Sequence, residues 1–136
     1  MGDVVIVRKR PLSVWVLTVL NGLFAIVLIA VGFIAQSRGY SAGQAAFNGL
    51  FGLAISLAAH ATWYGYRWGR LALLVLLTVF LGQLIVWSVM VINWSEDTGY
   101  RGPIVDQAMM RAFGSIIWLG ANWLLLFGKR ARMFFG

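Results

Sequence analysis

Residues 12–35 read LSVWVLTVLNGLFAIVLIAVGFIA, a run with no Asp, Glu, Lys or Arg. A helix of about 20 such residues crosses the ~30 Å hydrocarbon layer of a bilayer, so this stretch is long enough to be one span. Three more runs without charge follow, at Ala45–Tyr66, Leu71–Trp94 and Ala112–Phe127. Pro103 suits the first position of a helix, so the last run extends back toward it. The spans are then about 12–35, 45–66, 71–94 and 104–128. Short connections make consecutive helices antiparallel neighbours. The expected fold is an all-α membrane protein, a four-helix transmembrane up-down bundle, with residues 1–136 forming a single domain.

The basic residues sort onto one side of these spans. Arg8, Lys9, Arg10, Arg67, Arg70, Lys129, Arg130 and Arg132 lie in the first, third and fifth flanking segments. The second and fourth hold only Arg38, Arg101 and Arg111, beside Glu96, Asp97 and Asp106. Translocated loops are depleted in Lys and Arg, so both termini are expected in the cytoplasm, and a bacterial inner (plasma) membrane is the expected location. The eight juxtamembrane cations are also the expected contacts to anionic lipid head groups.

Composition narrows the function classes. An apolar share of 61% exceeds the roughly 45–50% of soluble domains. The net charge of +7 is accounted for by topology, and no basic face or stacking platform stands outside the spans, so nucleic acid is not an expected partner. With no cysteine and one histidine, no thiolate metal site or metal-ligand cluster can be assembled. The first apolar run is too long for a cleavable signal peptide and has no small-residue cleavage site behind it. Ile6 stands where a myristoylation motif needs Ser or Thr.

A faint internal repeat runs through the chain. A shift of 60 places Arg10 on Arg70, Leu17-Thr18-Val19 on Leu77-Thr78-Val79 and Gly22 on Gly82; a shift of 66 places Ala46-Phe47 on Ala112-Phe113. Such a repeat would make the molecule two related helical hairpins.

On span 2, Ala45, Gly49, Gly52, Ser56 and Ala59 keep small residues on one stripe, which lets helix backbones approach closely. The stripe serves packing within the chain or docking of another subunit. The polar residues inside the spans are Asn21, His60, Gln83 and Asn122, with Asn48 and Asn93 nearer the ends. His60 lies seven residues inside Arg67, hence ~10 Å below the surface at 1.5 Å per residue. It is expected to be neutral and hydrogen-bonded to Asn21, Asn122 or Gln83; axial ligation of a haem is the sharper alternative. Trp87 and Trp118 sit away from the interfacial belts and need acceptors if buried.

No ionisable group lies at mid-span, which weighs against a proton- or cation-coupled carrier. No Ser–His–Asp set forms either, because the carboxylates and His60 belong to opposite sides, so an enzyme is not expected. The leading expectation is a small inner-membrane accessory or scaffold subunit that packs with other membrane subunits or self-associates. The alternative is a small homo-oligomeric transporter or channel, and the third reading is a subunit binding a hydrophobic cofactor such as haem, pigment or quinone. No cofactor is specifically expected.

Overall fold

The computed structural model describes residues 10–39 and 41–135, so Arg8 and Lys9 lie outside the described residues. It is all-helical: α1 Leu12–Ser37, α2 Ala42–Trp63, α3 Arg67–Thr98, α4 Pro103–Leu126 and α5 Lys129–Phe135. The first four are long and apolar enough to cross a membrane, which makes this an integral membrane protein by architecture.

Local chemistry explains where the helices start and stop. Ser41 caps α2, its hydroxyl accepting the Gln44 N–H at 3.3 Å, and Pro103 opens α4. Two boundaries differ from the apolar runs. The helix α2 ends at Trp63, three residues before the run does, because Gly65 takes a left-handed φ of 81°. The turn is therefore only Tyr64–Tyr66, and Arg67–Arg70 belong to the first turn of α3. At its other end α3 continues through Glu96 and Asp97 to Thr98, stopped by Gly99 at φ 68°. Those carboxylates stand on a helix end and not in a loop: polarity marks where a helix leaves lipid, not where its hydrogen bonds cease. The basic tail forms α5, with Ala131 and Phe135 buried.

Consecutive long helices pack against one another, and α1 and α4 touch far more sparsely. Close approach requires glycine at several crossings. A Cβ on Gly52 would lie 2.9 Å from the Ala25 carbonyl oxygen and 2.6 Å from an Ile29 side-chain carbon. One on Gly69 would lie 2.7 Å from the Thr62 nitrogen. Such approaches supply dispersion and weak C–H···O contacts where lipid removes any hydrophobic drive to associate. The core between the helices is built from Ile55, Leu73, Leu74, Leu77 and Phe80, and Phe24, Phe47 and Phe51 gather around Phe80.

Contacts reverse along paired helices. Arg10 lies over Trp63 while Gly32 abuts Ala45, and Thr78 meets Trp123 while Trp87 meets Arg111. The pairs α1–α2 and α3–α4 thus form two hairpins. Their bases resemble one another: the guanidinium of Arg10 covers Trp63 at 3.9 Å, and that of Arg70 covers Phe127 at 5.2 Å. Thr18 and Thr78, sixty positions apart, both donate to the carbonyl four residues back at 2.7 Å.

Candidate functional site

The polar residues of the spans do not converge on one lumen. Asn21 and Asn122 are fully buried on the α1–α4 seam and bond to each other. The Asn21 amide nitrogen donates to Asn122 Oδ1 at 2.6 Å, and Trp118 Nε1 donates to Asn21 Oδ1 at 3.2 Å. Asn122 Nδ2 in turn donates to the Trp118 carbonyl at 2.9 Å. The set lies ~13 Å along α1 from Leu12 at 1.5 Å per residue. Amides and indole do not titrate, so this network carries no proton. What it does is join α1 to α4, which otherwise touch sparsely, while the hairpins also meet along α2 and α3.

His60 departs from its expected place. It is exposed on α2, and the Tyr64 ring lies 4.9 Å from it, edge to face. Asn21 and Asn122 satisfy each other and leave nothing for the imidazole, and Gln83 is exposed on α3. The helical phase of His60 explains this: it stands between the buried Ala59 stripe and the exposed Leu53 and Leu57, at the edge of the α1 contact and not within the core. With Thr18 and Gly22 of α1 and Ser56, Ala59 and Trp63 of α2 it lines a shallow groove of about 220 Å³. Asn93 is also exposed, and Asn48 is half-buried.

The small stripe of α2 is distributed along the α1 contact. Ala45, Gly52 and Ala59 are buried, Gly49 and Ser56 half-buried. Gly32 of α1 fits against Ala45 and Gly49, and Ala25 and Ile29 against Gly52. This stripe is covered by the chain's own first helix along these crossings.

Of the eight cations expected at the head groups, six are described, all at the end of the bundle that holds the described termini. Arg67, Lys129, Arg130 and Arg132 are exposed; Arg10 and Arg70 are half-buried, each with its Nε buried and without a hydrogen-bond partner. Arg70 reaches the Leu126 carbonyl at 3.5 Å and the Phe135 ring at 4.9 Å. These arginines lie along apolar and aromatic surface while carrying charge outward. The opposite end holds Arg38, Arg101 and Arg111 together with the exposed Glu96, Asp97 and Asp106. There a cleft of about 460 Å³ between the ends of α3 and α4 is lined by Glu96, Arg101 and Asp106. Among the described residues no three metal-ligating side chains gather.

Two contacts escaped sequence reasoning. Arg111 lies over the Trp87 ring at 5.4 Å, and Trp123 donates to the Thr78 hydroxyl at 3.1 Å. The sequence offers Asn21 and Asn122 as partners for His60 and not for each other; both lie inside their spans, which is the one signal for the pair. Against protein-family models, curated proteins and solved structures, the chain matches nothing.

Proposed function

We propose that this chain is a small polytopic accessory or scaffold subunit of a membrane assembly. It is an up-down bundle with both termini in the cytoplasm, in a bacterial inner membrane, and its work is to present helix surfaces to other subunits or to further copies of itself. The observation that carries the reading is how its intramembrane polarity is used. Asn21, Asn122 and Trp118 consume one another inside the bundle, while Gln83 and Asn93 face outward. A single chain therefore offers no continuous polar path, and what remains is surface. Only 22–33% of the most apolar window of each span is buried within the chain, so most of each helix must meet lipid or protein. The reversed contacts along each hairpin support the up-down order, and the eight-to-three division of basic residues supports the orientation.

A homo-oligomeric transporter or channel is the second reading, favoured by one observation. The outward Gln83 and Asn93 on α3 would line a lumen if copies met along that helix. Extraction in mild detergent followed by cross-linking and mass determination separates the two. Stoichiometric foreign subunits support the scaffold. A closed ring of this chain alone, with solute flux in liposomes that Gln83→Leu abolishes, replaces it with the pore.

A further inference from the structure

The α1–α4 seam is clamped at Asn21–Asn122 and open on both sides of the clamp. Toward the acidic end, Leu20, Phe24, Leu81, Leu84, Gly114 and Trp118 line a groove of about 430 Å³. Toward the termini, Pro11, Leu12, Val16 and Leu125 line a second, of about 410 Å³. Both volumes fall in the ~300–1,000 Å³ range of ligand pockets, and both are mainly apolar. Each is lined by one guanidinium, Arg111 in the first and Arg130 in the second.

Among the described residues neither arginine has an anionic partner. Arg111 lies over the Trp87 ring, and Arg130 makes no hydrogen bond or ion pair. Arg111 is the more telling of the two. It lies fifteen residues before Leu126, the end of α4, so ~22 Å of helix separates it from that end at 1.5 Å per residue. That height is close to the far face of a ~30 Å hydrocarbon layer, where an exposed guanidinium can meet a lipid phosphate. A phospholipid brings both groups in one molecule, an acyl chain for the groove and a phosphate for the arginine.

We propose that the seam is a two-site phospholipid clasp. One anionic phospholipid lays an acyl chain in the groove beside Gly114 with its phosphate on Arg111. A second, from the other leaflet, lays a chain in the groove beside Leu12 and Leu125 with its phosphate on Arg130. The clamp keeps the grooves separate. The proposal deepens the membrane-subunit reading by naming what completes the sparsely packed seam, and it holds for a scaffold or a pore alike.

The test is native mass spectrometry of the full chain, released from micelles containing phosphatidylglycerol or, separately, phosphatidylcholine. The wild type should retain two phosphatidylglycerols per chain and lose phosphatidylcholine at much lower activation. Arg111→Gln and Arg130→Gln should each retain one, and the double variant none. Gly114→Leu is the decisive variant, because a Cβ there meets nothing within 4 Å, so the fold tolerates the side chain while the groove is filled. It should retain one lipid although Arg111 is intact. Arg38→Gln, away from the seam, should retain two. Two lipids on Gly114→Leu, equal retention of phosphatidylcholine, or a loss with Arg38→Gln matching that with Arg111→Gln would each overturn the clasp. A polypeptide bound one-to-one with no retained lipid would give the seam to a protein helix and overturn it as well.

Discussion

Replacing Asn21 by Leu tests whether the buried amide pair closes the α1–α4 seam. The change keeps the number and branching of the side-chain heavy atoms but puts larger methyls in a fully buried contact, so overpacking adds to the loss of two hydrogen bonds: the one to Asn122 at 2.6 Å and the one from Trp118 at 3.2 Å. Interhelical hydrogen bonds inside membranes are worth about 0.6 kcal/mol on average and up to ~1.7, so two of them contribute about 1–3 kcal/mol. Asn122 Oδ1 and the Trp118 N–H are left without their partners in a fully buried site, which places the cost toward the upper part of that range. The double variant Asn21→Leu with Asn122→Leu removes the orphaned amide as well, so it should be less destabilised than the sum of the two single changes. A coupling of roughly 1 kcal/mol is expected for residues joined in this way. Reversible unfolding in detergent micelles, titrated with a denaturing detergent for all four corners of the cycle, measures it. Strictly additive singles, each costing under about 0.3 kcal/mol, would refute the clamp, since packing alone would then hold the seam.

Glycines of one stripe should respond oppositely. Gly52→Ala should destabilise by about 1–3 kcal/mol through overpacking against Ala25 and Ile29, whereas Gly49→Ala, whose Cβ meets nothing, should be neutral in the same unfolding assay. Gly69→Ala should behave like Gly52→Ala, because its Cβ runs into the backbone of Ala61 and Thr62. His60→Leu should change the stability of the isolated chain by no more than about 0.5 kcal/mol, as expected of an exposed site without a hydrogen bond; a larger loss would show that the imidazole has a partner within the bundle. Reporter fusions at residue 98 should read as external and those at residue 67 and the C-terminus as cytoplasmic. An external reading at residue 67 would reverse the orientation.

The four spans were legible because their signal is a sum over twenty or more residues, and a bilayer imposes a length that no single substitution changes. Helix ends followed a different rule. They depend on single residues such as Gly65 and Gly99, whose left-handed φ values do not show in hydropathy. The close crossing at Gly52 was also legible, since small residues at alternating spacings of 3 and 4 mark a face that approaches a neighbour. Which neighbour it was, α1 rather than α3, was not.

The misplacement of His60 shows where reading from depth alone fails. Asn21, His60, Gln83 and Asn122 all lie inside their spans, but a bond also needs the side chains to point at one another. On a helix that direction turns by 100° per residue, so an error of one residue in relative rotation exchanges an inward partner for an outward one. In soluble proteins the polar face settles that rotation, because water marks the outside. Here lipid and the bundle interior are both apolar, so the hydropathy of a span carries almost no phase. The phase is carried instead by close approach and by paired amides: Gly52 turns α2 toward Ala25, and Asn122 turns α4 toward Asn21. Once α2 is fixed by its glycine, His60, eight residues on, lies about 80° around the helix from it, on the flank of the α1 contact rather than inside it, whatever depth it shares with the amides.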